Sequence, residues 1–109
     1  MKESNVQARI LVALSLAGCL VWRQDTGAYR AKSGALVRYG LCKGSSDIVG
    51  IAPDGLFLAV EVKTDKGRTT EAQDLFIAAV RRAGGRAGVA RSEAEAVAIA
   101  TGPRVPPEP

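Results

Sequence analysis

Histidine is absent from the 109-residue chain. No Ser-His-Asp triad, Cys-His pair or histidine-ligated zinc site can be built from it. The two cysteines, Cys19 and Cys42, are too few for a thiolate zinc cluster. Nothing marks either as a nucleophile, and both suit a reducing cytoplasm. No apolar stretch is long enough to span a bilayer, so no membrane role is expected. "KGSS" lacks the rest of the G-x-x-x-x-G-K-[ST] pattern, which removes phosphate-loop chemistry. No internal repeat and no second domain are visible.

What is present fits one small soluble domain able to bury a core, 47% hydrophobic and 24% charged. The net charge of +4 permits a polyanionic partner without requiring one. "LAGC" at 16–19 is similar to a lipoprotein cleavage box, with Lys2 and Arg9 upstream. Against that stand a short apolar run from Ile10 to Leu16, a negative Glu3, and the strand-like "LVWRQ" behind Cys19. A cytoplasmic location is expected.

Val6, Ile10, Ala13, Leu14 and Ala17 recur at helical spacing, and Gly18 caps the end, giving a first helix over 3–17. "CLVWRQ" is a strand. From Asp25 to Gly44 the chain is polar and basic and reads as a loop or ribbon, with "ALVRYG" as a strand. "DIVGIA" and "LFLAVEVKT" flank "PDG", a turn by composition. A helix follows over 70–83, ended by Gly84 and Gly85, then the strand "RAGVAR". Ser92 and Glu95 form a capping box for a last helix, and residues 102–109 read as a disordered, proline-rich tail after a domain of 1–101. The strand–helix–strand unit over 56–91 predicts a parallel pair.

Two aspartates precede Glu61 and Lys63. With a three-residue loop at 53–55, Ala52 pairs with Leu56, and the same register sets Asp47 opposite Glu61. Opposite residues share a face, their Cβ atoms about 4.5–5.5 Å apart. Asp54 sits at the hairpin tip, on the order of 20 Å away, and is a turn residue. Paired carboxylates repel unless something positive lies between them, and a hard cation such as Mg²⁺ takes such oxygen ligands. Lys63 beside them can orient or deprotonate water, or hold a phosphate oxygen. The plainer alternative is a surface Glu61–Lys63 ion pair, with Asp47 capping a loop.

"KGSSD", thirteen residues, then "EVKTDKGRTTEAQ" resembles the VRR-NUC branch of the PD-(D/E)XK nuclease superfamily, over about Glu3 to Ala100. The resemblance implies an α/β, restriction-endonuclease-like αβββαβ core with a mixed sheet flanked by helices. It assigns Asp47 and Glu61 as metal-binding acids, Lys63 as the catalytic lysine, and Gln73 as the glutamine on the following helix. "TEAQ" is equally a capping box that would explain Gln73. Glu3 resembles the acid that related resolvases place on the first helix to complete the metal site, although a helix N-terminus favours glutamate anyway. The Val-Arg-Arg signature falls late, at "AVRRAGG" with Arg81 and Arg82.

The implied cofactor is Mg²⁺ or Mn²⁺ and the implied partner is branched DNA. A bare chain of this kind resembles the stand-alone viral and bacterial members, which look like Holliday-junction resolvases and are expected to be homodimers. DNA contacts are expected from Arg23, Arg30, Lys32, Arg38 and Lys43, together with Ser45 and Ser46 of the G-S-x-D segment. The plainer reading of the basic residues is a solvated loop. Flap, nicking or restriction-like cleavage, or branched-DNA binding without cleavage, are the competing functions.

Overall fold

Ile10 and Leu14, one turn apart on the apolar stripe, are fully buried and fasten the first helix to the sheet. Each contributes ~1.5–3 kcal/mol by leaving water. The computed structural model describes residues 2–25, 27–39 and 42–105, with backbone alone at 38 and 39. The order is α1 (Glu3–Leu16), β1 (Leu20–Arg23), β2 (Gly27–Arg30), β3 (Leu36–Tyr39), β4 (Ile48–Ile51), β5 (Phe57–Val62), α2 (Glu71–Arg82), β6 (Arg86–Ala90) and α3 (Glu93–Thr101). One sheet runs β1-β4-β5-β6, and β2 and β3 form a separate two-stranded ribbon.

The expected αβββαβ core is α1, β1, β4, β5, α2 and β6, with the ribbon inserted between β1 and β4. β1–β4 and β4–β5 are antiparallel, and β5–β6 is parallel as the strand–helix–strand unit required. No described helix is long and apolar enough to cross a membrane.

The alternation of β5 divides the molecule. Leu58, Val60 and Val62 face a core shared with Ile10, Leu14, Ala96 and Ala100 of α1 and α3. Ala59 faces the other way, with Val49 and Ala87, against Ile77, Phe76 and Val80 of α2. Helices α1 and α2 therefore cover opposite faces of one sheet.

The helix ends follow their glycines. Gly18 (φ +96°) lets its own N–H reach Ser15 O and the Cys19 N–H reach Leu14 O, the paired bonds that close a helix C-terminus. The cap of α3 departs from the expected box. Ser92 Oγ accepts the Glu95 N–H (3.1 Å), but the Glu95 carboxylate accepts from Arg91 N (2.7 Å) and not from Ser92.

Asp54 does more than turn the chain. Its Oδ1 accepts the Leu56 N–H, while Oδ2 pairs with Arg86 at 2.9 Å. The hydrogen bond from Arg86, with that from Leu56, holds its carboxyl below the usual range. Arg86 Nη1 also donates to Ile99 O and Gly102 O, and Arg104 Nη1 donates to Gly84 O. The expected tail is thus tied to the body through Arg104, and residues 106–109 lie outside the described residues.

Candidate active site

Asp47 and Glu61 meet where two strands leave the shared ladder. The β4–β5 register ends at Ile48↔Val60, and its next position sets Asp47 opposite Glu61. Asp47 is fixed from two sides. Its backbone carbonyl accepts the Gln24 N–H (2.7 Å), and its Oδ2 accepts the Val62 N–H (2.9 Å).

Glu61 is 1% exposed. Its Oε2 accepts from Gln73 Nε2 (3.1 Å) and lies 3.4 Å from Lys63 Nζ. Its Oε1 is buried with no hydrogen-bond partner among the described residues. Burial, then the Asp47 carboxylate beside it, pushes the Glu61 carboxyl up to about 8, with Lys63 acting in opposition. An unpaired buried oxygen and a repelled neighbouring acid are both costs to the fold. They are also what an oxygen-liganded divalent cation would relieve, so the residues fit such an ion.

Gln73 serves two masters at once. Its Oε1 accepts the Thr70 N–H (2.8 Å), its own N–H donates to Thr70 Oγ1 (3.2 Å), and its Nε2 is left for Glu61. The capping box and the contact with Glu61 coexist because an amide carries an acceptor and a donor. Gln73→Glu separates the two roles. The box persists, since glutamate also serves at this position, so helix content measured by circular dichroism should be unchanged. The Glu61 titration, followed by carboxyl-carbon NMR, should move further above about 8 because a donor has become an anion.

Two close approaches shape the surroundings. Gly44 (φ +83°) lies so near α2 that a Cβ there would fall 2.3 Å from Ala72 O, and this contact sets the 42–46 turn against the start of the helix. Across the site, Arg91 Nη1 donates to Thr64 O and Gly67 O, holding the 64–67 loop against the Lys63 stem. A polar cleft of about 240 Å³ on the Gly44 side is lined by Gln24, Asp25, Lys43, Asp47, Thr70 and Gln73 among others. A larger apolar hollow of about 420 Å³ lies beside Phe57 and Val80, with no titratable side chain in its lining.

Asp47, Glu61, Lys63 and Gln73 are thus brought together, and two other expectations need correction. Glu3 is exposed on α1, which packs on the sheet face opposite Glu61, and no cluster of three or more acids, histidines or cysteines suited to a metal occurs among the described residues. Ser45 and Ser46, expected on the DNA, are 7% and 0% exposed. Ser45 Oγ donates to Cys42 O (2.7 Å) and closes the tight turn before Asp47, while Ser46 Oγ is buried with no hydrogen-bond partner among the described residues. Arg23, Arg30, Lys32 and Lys43 are exposed, and Arg38 sits opposite Ala28 by register. Arg81 donates from Nε to Ala87 O (2.9 Å) and clamps α2 to β6, while Arg82 is exposed.

Gln24, Asp25 and Arg91 escaped the sequence reading. Gln24 follows from the β1–β4 register, which pairs Trp22 with Val49 and leads on to Asp47, but the ribbon between the strands conceals that register in sequence. Arg91 had the signal of closing the strand parallel to the one carrying Lys63.

A family model of the VRR-NUC domain matches residues 2–94. A solved structure described as a VRR_NUC domain is similar to this fold with a TM-score of 0.61 and 22% identity, covering 86% of this chain and 88% of its own. No curated protein matches.

Proposed function

Because the chain belongs to the VRR-NUC domain family of the PD-(D/E)XK nuclease superfamily, and is thereby a nuclease-type DNA-processing module, we propose that it is a metal-dependent endonuclease hydrolysing phosphodiesters in branched DNA. The observation that carries this reading is the buried, unpartnered Oε1 of Glu61 beside Asp47. A pure binding module has no use for two facing acids where a phosphate must approach.

Asp47 and Glu61 would hold Mg²⁺ or Mn²⁺, which supplies Lewis-acid stabilisation of charge at the phosphate. Gln73 fixes one oxygen of Glu61 and leaves the other for the ion. Lys63, 14% exposed in its side chain, has its Nζ at the edge of the acid pair. There it orients the attacking water or steadies a phosphate oxygen. Lys43 and Arg23, both exposed, add cationic charge for the DNA backbone.

Action on four-way junctions as a homodimer is supported by an uncovered apolar surface. Leu20, Ile51 and Phe57 form one row across the sheet, with Trp22 on the same face. They are 64%, 43%, 42% and 47% exposed. A two-fold pair meeting there would bury a patch without charges and set two sites in fixed relation, as two symmetric nicks require.

The test is cleavage of a labelled four-way junction, a flap and a plain duplex, with and without Mg²⁺, alongside sedimentation of the wild type and Trp22→Glu. Paired nicks on the junction alone, lost without metal, with a dimer that Trp22→Glu dissociates, are the expected result. Equal cutting of flap or duplex would remove the resolvase assignment, and no cutting at all would leave a binding module.

A further inference from the structure

The β2–β3 ribbon stands apart from the four-stranded sheet. Its pairing runs Gly27↔Tyr39, Ala28↔Arg38, Tyr29↔Val37 and Arg30↔Leu36, and no helix or other strand packs substantially against it among the described residues. Tyr29 and Leu36 are 57% and 50% exposed. Two-stranded hairpins alone are marginal in water. This one is braced at its tip, where Ala31 N donates to Ala35 O, Gly34 N to Ala31 O and Arg30 Nη1 to Gly34 O, each at 2.8–2.9 Å.

Charge is distributed just as unevenly. Residues 27–44 contain Arg30, Lys32, Arg38 and Lys43 and no acid, while the other eleven cations match the eleven acids of the whole chain. The excess of +4 therefore resides in residues 27–44, the ribbon and the turn that follows it. The described residues that flank the ribbon in sequence, Gln24 and Asp25 before it and Lys43 and Gly44 after it, line the cleft.

We infer that the ribbon enters the major groove of a duplex arm next to the phosphodiester held in the cleft. This rests on the nuclease reading for the position of the scissile bond, but not for the binding itself. The major groove, about 12 Å wide, admits a two-stranded β-ribbon. Arg30 and Lys32, exposed towards the tip, meet the phosphates lining that groove. A single strand has no groove, so the ribbon favours DNA with helical arms and fixes where on an arm the cleft arrives. Phosphate contact alone would not give that preference.

The experiment measures binding in EDTA, where cleavage plays no part, to a four-way junction and to a single strand of one of its sequences. Dimethyl sulfate then reports guanine N7 in the major groove. Wild type should protect N7 on an arm, and Arg30→Gln with Lys32→Gln should lose that protection. The double variant should also flatten the slope of log affinity against log salt by about two, at roughly 0.9 per phosphate. Single-strand affinity should fall less than junction affinity. Replacing 27–39 with a short Gly-Ser linker should reproduce the loss. Unprotected N7 in the wild-type complex, or a salt slope unchanged in the double variant, would overturn the inference. N7 protection without any cutting in Mg²⁺ would sink the nuclease reading and leave the ribbon standing. Glu61-dependent cutting with N7 fully reactive would do the reverse.

Discussion

Glu61→Gln should abolish cleavage and, without divalent ions, make the protein more stable at pH 9. The two effects share one cause. Glutamine keeps the shape of the buried side chain but cannot ionise, so it removes a metal ligand together with a buried charge. The folded state holds the Glu61 proton up to about 8, against 4.5 for an ordinary glutamate in the unfolded chain. Between those values the native state binds more protons than the unfolded chain, so stability falls as pH rises. The stabilising contribution is complete below 4.5 and is lost as pH passes about 8. Glutamine escapes that loss, which is at most about 5 kcal/mol over this interval at about 1.4 kcal/mol per pH unit. Melting temperatures should agree within a few degrees near pH 4 and differ by roughly 5–15 °C at pH 9. Junction cleavage should fall by at least ~10²–10³-fold. A variant that melts no later than wild type at pH 9 would show that Glu61 ionises without cost. One that cuts normally would remove Glu61 from the reaction.

The second large effect reverses the sign with metal. A cation held by Glu61 and Asp47 must displace the proton that burial retains. Mg²⁺ or Mn²⁺ affinity, measured by titration calorimetry, should rise about tenfold per pH unit from about pH 5 and level off near 8. Each bound ion should release about one proton in that window, detectable by comparing buffers of different ionisation enthalpy. Metal should also raise the wild-type melting temperature at pH 8 and leave Glu61→Gln almost unmoved. Affinity flat between pH 5 and 8 would mean that the ion binds elsewhere or that Glu61 is no ligand.

The acid pair was legible because its determinants are local. Pro53, Asp54 and Gly55 fix a hairpin loop of known length, and counting outward pairs Asp47 with Glu61. The two roles of Gln73 were visible too, since both depend on spacing along one helix. What stayed hidden depends on distant contacts. The β1–β4 register spans the inserted ribbon, so Gln24 could not be aligned with Asp47. Ser46 is a common loop residue, and only the approach of Gly44 to Ala72 shows why its turn is buried. Glu3 was misjudged because helix spacing does not reveal which sheet face a helix will cover. Asp54 was recognised as a turn residue, but its ion pair with Arg86 links positions 32 apart.

The alternation of β5 also separates two kinds of position. Leu58, Val60 and Val62 hold the core with α1 and α3, whereas Glu61 points the other way and pairs with Lys63. The positions that hold the core and those proposed for the chemistry are thus distinct along one strand. Replacing Glu61 relieves a buried acid without touching Leu58, Val60 or Val62, so in the proposed enzyme stability and cutting make opposite demands of that one position.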